Sequence, residues 1–397
     1  MNKFRMLNGT GNKTEKETDY DAEVTRHRIK RVLKWVFIIG LILTVLISFY
    51  NYLDRKVYTG YTVTARSVRS DSETARYMQF NGHILKYSQD GAEAFDGMDK
   101  SLWNITYEMQ SPKIATCEDF VAITDEGSTN IVVTDSSGVS TSIDTRLPVM
   151  DICVAGQGVV AAVLSDKSAT KINVYDKEGN QLAGLKCTMV QTGYPLDISL
   201  SPSGTLLGVS YLRMDAGELK SSVAFYNFGN VGENEVDHYV SGFDYTDAVF
   251  PRIKFLDDSS VIAVGNNKVV TYSGAQKPQL VSENSVGEEI QSVFYGDDEY
   301  ALVFRNTSGS DSYRIDLFDE KGVLKMSKEF ELAYSDIQIT KRQILIYNES
   351  ECLIMNKRGF VKYSGKFEDS VLLMVPGKSF ARYILINRDI TQTIRLD

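Results

Sequence analysis

Two patterns of apolar and polar positions divide the chain. Residues 35–53 read WVFIIGLILTVLISFYNYL, nineteen positions without a charge. As a helix they extend about 28 Å, near the ~30 Å hydrocarbon thickness of a bilayer. Trp35, Tyr50 and Tyr52 stand at the two ends, where amphipathic rings favour the interface. From residue 57 onward, short runs rich in Val, Ile, Tyr, Phe and Thr alternate with clusters of Gly, Asp, Asn and Ser. That is a pattern of strands and turns, with almost no helical periodicity.

The turns repeat. An apolar pair, then Asp, Asn or Ser, then Gly recurs at Asp96, Asp135, Asp176, Asn227, Ser273, Asp319 and Asn356, and an eighth unit closes with IRLD at Asp397; the mean spacing is 43 residues. Asp and Asn suit such turns because their side chains bond the backbone two residues on, and Gly supplies a positive φ. A second series precedes these: Asn81-Gly82, Glu118-Asp119, Gly156-Gln157, Ser203-Gly204, Asp258-Ser259, Asp297-Asp298, Lys341-Arg342 and Gly377-Lys378. Each leads into an apolar run such as VVAAVL, VIAVG or FARYILI. Four short strands per unit of this length is the period of a β-propeller blade.

The sequence therefore predicts an all-β fold, a β-propeller of about eight four-stranded blades, seven being the alternative, preceded by one transmembrane helix. The last unit has runs for three strands only. The alternating segment YTGYTVTAR (58–66) has no blade of its own. It is expected to supply the missing outer strand, because full closure removes an exposed edge. The predicted domains are a cytoplasmic basic tail (1–34), a transmembrane helix (35–53) and an extracytoplasmic propeller (54–397) closed by strand 58–66.

Charge supports that topology. The tail holds nine Lys and Arg against five acids, while the remainder holds 34 bases against 47 acids. Arg26, Arg28, Lys30, Arg31 and Lys34 precede the apolar stretch, and only Arg55 and Lys56 follow closely. The positive-inside bias places the N-terminus in the cytoplasm and the body outside the cytoplasmic membrane. SFYNYLDRK offers no small-x-small cleavage site, so an uncleaved anchor is expected. The net charge of −9, with no block of five like charges, disfavours a nucleic-acid partner.

DISLSPSGTLLGVSYL (197–212) resembles the SPDG turn of WD40 and TolB-type repeats. LKYSQDGAEAFDGMDKSLWN (85–104) resembles the signature of quinoprotein-like propellers. The whole layout is similar to a family of uncharacterised bacterial single-pass membrane proteins with extracytoplasmic propellers. That resemblance implies location and fold, and no activity.

The chemistry is sparse. His27 lies in the tail, and His83 and His238 fall on distant units, so neither a triad nor a histidine metal cluster is specified. FLDDSS and YGDDEY lack the ligand spacing of a calcium loop. Two tryptophans, one of them in the anchor, are too few for a quinone cofactor site. No cofactor or metal is implied. Cys117 and Cys153 occupy matching positions one unit apart and are the best candidate pair for a disulfide, but equivalent positions on adjacent units stand far apart for a bridge, and burial of all four, with Cys187 and Cys352, as small apolar side chains is the favoured reading.

Asp151 (MDIC), Asp197 (LDIS) and Asp336 (SDIQ) recur at the start of the innermost strand. They cap that strand or line a channel mouth. The chain enters the outer strand at the end of the ring opposite these aspartates. About four residues, a reach of roughly 14 Å, separate that end from the anchor. The other end is then outward, with loops carrying Tyr194, Arg213, Asp215, Tyr245, Asp247, Arg252 and Tyr334. Tyr and Arg dominate recognition surfaces. The expected function is binding or scaffolding of an unknown protein or cell-envelope partner, with Asp151, Asp197, Asp336, Tyr194, Arg252 and Tyr334 as candidate contacts. The alternative is an extracytoplasmic lyase or hydrolase that uses the channel-mouth carboxylates.

Overall fold

The computed structural model describes residues 14–397, apart from 168, 190, 216, 307–311, 378 and 380. The first part of the basic tail, Lys378 of the last inner turn and Phe380 of the run after it lie outside the described residues. The chain divides into two units, Met1–Lys56 and Val57–Asp397.

The first unit contains the helix Thr14–Arg55. Within its stretch Val24–Tyr52 an eighteen-residue window reaches a mean hydropathy of 2.5, long and apolar enough to cross a membrane. From Trp35 on, Leu, Ile, Val and Phe occupy every side of it, and a helix apolar all round suits an apolar surrounding. The helix also takes in residues 14–34, read from sequence as tail. Lys and Arg are good helix formers, and no proline interrupts the span.

In the second unit, the strands among the described residues form eight four-stranded sheets. The fold is an eight-bladed β-propeller, and the seven-bladed alternative is set aside. The innermost strands of blades 1 to 8 are Arg76–Phe80, Pro112–Cys117, Val149–Val154, Tyr194–Leu200, Arg252–Phe255, Ile290–Tyr295, Asp336–Ile339 and Val371–Pro376. Blades 1 to 7 use four consecutive strands each. Blade 8 takes its outer strand from the beginning of the ring: Tyr61–Val68 pairs antiparallel with Ile390–Leu396, Tyr61 opposite Leu396 and Val68 opposite Ile390. The expected closing strand is thus present, although its ladder runs over 61–68 rather than 58–66. Ahead of it, the Tyr58 N–H donates to the Lys362 carbonyl at 2.7 Å and the Thr59 N–H to the Asp397 carbonyl at 3.0 Å.

Both turn series sit where the repeat requires. The Asn81-Gly82 series joins first to second strands, and the Asp96 series joins third to fourth strands. Asp135 Oδ1 accepts from the N–H groups of Ser137 and Val139 at 2.9 and 3.0 Å. Asp176, Asp319 and Asn356 each accept from the same two relative positions. Gly138 follows at φ +86°, a conformation that a Cβ would penalise. The long interval from Asp176 to Asn227 has a local cause: the second and third strands of blade 4, Leu206–Asp215 and Glu218–Asn227, are ten residues each, and two short 3₁₀ turns, Gly232–Asn234 and Val236–His238, follow Asn227.

Each blade buries both faces against its neighbours. All five residues of Ser260–Val264 and of Gln343–Tyr347 are buried, so these second strands read as continuous apolar runs without alternation. Eight apolar clusters occupy the eight junctions between adjacent blades. The cluster joining blades 8 and 1 is the smallest, made of Ile84, Phe95, Leu373, Val375 and Ile386. Ionic contacts supplement it. Arg69 meets Asp71 and Asp99, and Lys86 meets Asp71 and Glu93.

Candidate functional site

The inner strands present alternate residues to the channel. In Arg252–Phe255, Ile253 and Phe255 are buried while Arg252 and Lys254 are exposed. The same alternation frees Asp151 and Cys153 between Ile152 and Val154. A register shift in blade 3 just before Asp151, and one in blade 4 just before Asp197, re-aim those two carboxylates.

Asp197 bridges two blades: its Oδ2 accepts from the Ile253 N–H at 2.8 Å. One turn of the strand further on, Ser199 Oγ accepts from the Phe255 N–H at 3.0 Å. Burial pushes the Asp197 carboxyl up to about 6; the Asp151 charge adds to the rise, while the Ile253 N–H and the Arg252 charge oppose it. Asp151 itself pairs with Lys113 of blade 2 at 3.0 Å. The Tyr295 hydroxyl is buried without a hydrogen-bond partner among the described residues. Burial and the nearby Asp197 charge push its ionisation above the ordinary phenol range, and Arg252 works against them. Blades 3, 4, 5 and 6 therefore bring Asp151, Asp197, Arg252 and Tyr295 into one electrostatic neighbourhood.

The remaining candidates are placed apart. Asp336, on blade 7, accepts from the Tyr347 hydroxyl at 2.9 Å and from the Ile337 N–H at 2.9 Å. It is braced within its own blade and matches the strand-capping reading. Tyr334 is half-buried, packed edge-on against Phe294 and Tyr313, with its hydroxyl 2.8 Å from Ser292 Oγ. Tyr194 is 41% exposed at the start of its strand. Tyr295 and Lys254 were missed from sequence, though both lie at alternate positions of inner strands and could have been found by extending that count.

The four cysteines are free thiols, so the Cys117–Cys153 pair is not formed. Cys187 and Cys352 are buried, and Cys117 and Cys153 are partly so. Burial pushes both partly covered thiols above the usual thiol range, and the Lys254 charge opposes it in each. Among the described residues no group of three or more His, Cys, Asp or Glu side chains is placed to hold a metal.

The opposite end of the ring is a belt of contacts between blades. The Gly156 N–H donates to the Pro202 carbonyl at 2.8 Å, and the Ser203 N–H to Asp258 Oδ1 at 2.7 Å. Asn81 meets Asp119 in the same way between blades 1 and 2. These inner-turn residues hold the ring together.

A family model matches residues 54–396, the whole propeller and the segment leading into it. The chain belongs to DUF5711, a family of unknown function. No curated protein matches the sequence. Solved structures similar to this DUF5711 propeller include AztD from Citrobacter koseri, at 10% identity over 77% of this chain and 87% of that one, with a TM-score of 0.49. The WD40 domain of SCAP from fission yeast is 9% identical over 84% and 98%, at 0.48. Virginiamycin B lyase from Staphylococcus aureus is 9% identical over 85% and 100%, at 0.41. Likeness at that level carries no argument about what the DUF5711 ring binds or does.

Proposed function

We propose that this DUF5711 protein is a membrane-anchored binding module. Its helix crosses the cytoplasmic membrane with the N-terminus inside, and its propeller is displayed outside to capture a protein or cell-envelope partner. The end of the ring where Tyr61 begins the closing strand is the tethered end. The end carrying Tyr194, Arg252 and the connections between blades is free, and the partner docks there. The observation that carries this reading is the channel mouth: Asp197 and Arg252 set charge of both signs around the Tyr295 hydroxyl, which has no hydrogen-bond partner among the described residues, and the Asp151 charge acts on Asp197. A few convergent polar groups of this kind are what orient a ligand in recognition sites.

The test is in-cell crosslinking of the intact protein with Arg252→Glu and Tyr194→Ala variants, and Asp298→Lys at the tethered end as the control. Loss of the crosslinked species with the first two and retention with the third is the expected result. The reverse pattern rejects the assignment of the free end. Protease added to spheroplasts should digest the propeller and spare the tail; protection of the C-terminus rejects the topology.

A second reading rests on Asp197 alone. A carboxyl held near 6 beside an ionised neighbour can hold and donate a proton, as a lyase or hydrolase acid must. It predicts turnover of an envelope polymer that Asp197→Asn abolishes.

A further inference from the structure

The groove between blades 2 and 3 is electropositive in a chain of net charge −9. Its cavity, about 440 Å³, is lined by Arg146 of the connection between the blades and by Lys171, Asn173, Gln181, Gly184 and Lys186 of blade 3. Lys171 and Lys186 are register partners across the third and fourth strands, Thr170 opposite Cys187 and Asn173 opposite Gly184 on either side of them. Like charges directly opposite each other in a sheet are destabilising. One carboxylate answers them: Lys171 Nζ lies 2.9 Å from Asp166 Oδ2, and the Lys186 charge also acts on that group. No ion pair engages Lys186 or the Arg146 guanidinium among the described residues.

Arg146 is set in place by its backbone. It stands at φ +58°, a left-handed conformation, with its N–H donating to Asp144 Oδ1 at 2.9 Å. Non-glycine residues adopt that region rarely. A glycine would hold the same turn without the guanidinium. At the other end of the groove the lining is neutral. Asn173 Nδ2 donates to the Tyr175 hydroxyl at 3.0 Å and lies 3.4 Å from Gln181 Oε1. Gly184 makes room for this pair: a Cβ there would stand 2.8 Å from Gln181 Nε2 and 3.1 Å from Asn173 Oδ1.

We infer that this groove is a binding site for an anionic carbohydrate, a sugar carrying a phosphate or carboxylate. The anion sits among Arg146, Lys171 and Lys186, offsetting the repulsion between the two lysines. The sugar hydroxyls meet the amides of Asn173 and Gln181 over the floor left by Gly184. The cavity falls within the range of about 300–1,000 Å³ usual for small-ligand sites. Free sugar phosphates and the repeat of a polyanionic envelope polymer share this chemistry. The site is separate from the channel mouth, and either can fail without the other.

The experiment is calorimetric titration of the full chain in detergent with glucose 6-phosphate, glucuronate, glucose, inorganic phosphate and poly(glycerol phosphate). Glucose 6-phosphate or glucuronate should bind, and glucose should not. Lys186→Ala and Arg146→Gly should each weaken binding about tenfold, the loss of one charge-assisted hydrogen bond. Arg146→Gly should also melt no lower than the parent, because glycine suits the positive φ. That combination separates a binding role from a structural one. Binding of the polymer far tighter than of the monomer assigns the site to an envelope polymer, and comparable binding assigns it to a free sugar; both support the inference. Inorganic phosphate binding as well as glucose 6-phosphate overturns the part played by the amides. No binding of any anion, or binding unchanged in the Arg146→Gly, Lys186→Ala double variant, overturns the site.

Discussion

Arg69 Nε lies 2.7 Å from Asp71 Oδ2, with the two side chains only 8% and 4% exposed. The same guanidinium donates to the Asn387 carbonyl at 2.8 Å, reaches Thr391, and lies over the rings of Tyr77 and Phe95. Asp71 also accepts from Lys86 at 2.9 Å and from the Tyr77 hydroxyl at 2.7 Å. These two residues directly follow the closing strand, and they fasten the chain where the apolar junction is smallest. Arg69→Ala leaves the Asp71 carboxylate buried with two of its three partners. A loss of about 3–5 kcal/mol is expected in urea unfolding, the cost typical of breaking a buried pair from one side. A loss below 1 kcal/mol would show that the junction does not depend on this pair.

The pH dependence of stability has two parts of opposite sign. Burial tends to raise the Asp71 carboxyl, but hydrogen bonds from Lys86, Arg69 and Tyr77 outweigh it and hold the group below the usual range. Its contribution is present above the ordinary carboxylate value and is lost as pH falls through the lowered one. Asp197 behaves in the other direction. With its folded value at about 6, stability declines as pH rises from about 4 through 6. Asp197→Asn should flatten that decline, measured as urea midpoints between pH 4 and 7. An unchanged slope would remove Asp197 as its cause.

Most of the ring was legible from its turns. A turn must place a side-chain acceptor and a positive φ at fixed positions, and Asp135, Asp176, Asp319 and Asn356 satisfy that need with residues that are rare in strands. The closing strand was legible because blade 8 had three runs and 58–66 had no partner, yet its bounds shifted. Register is set by pairing with Ile390–Leu396, which sequence alternation does not encode. The channel was read only in part. Asp151 and Asp197 came together because their blades are adjacent, while Asp336 stands three blades away and Tyr334 packs into an aromatic cluster. Which way a tyrosine ring turns depends on neighbours distant in sequence, and a linear pattern does not hold that information.

The turn acceptors should be interchangeable by chemistry and not by size. Asp135→Ala removes an acceptor for two backbone N–H groups and should cost about 1 kcal/mol. Asp135→Asn should cost much less, since Asn356 fills the same role five turns later in the series. Equal losses for the two variants, read from denaturation midpoints, would argue against the side-chain acceptor as the reason for the repeat.

A chain shortened to begin at residue 69 leaves Ile390–Leu396 as an open edge. It should associate at micromolar concentrations in size-exclusion chromatography, because an unpaired strand templates pairing with another copy. A chain beginning at residue 57 keeps the ladder and should elute as a monomer. Monomeric behaviour of both would count against closure as the role of Tyr61–Val68.

Tyr61 and Leu396 are paired across 335 positions of chain. At ordinary rates of synthesis, about 5–20 residues per second, the first of them waits roughly 15–70 s for the second to be made. During that interval the earliest strand of the ring has no ladder to join, while seven blades can assemble behind it in order. The last event of folding therefore falls to one of the first segments to leave the ribosome.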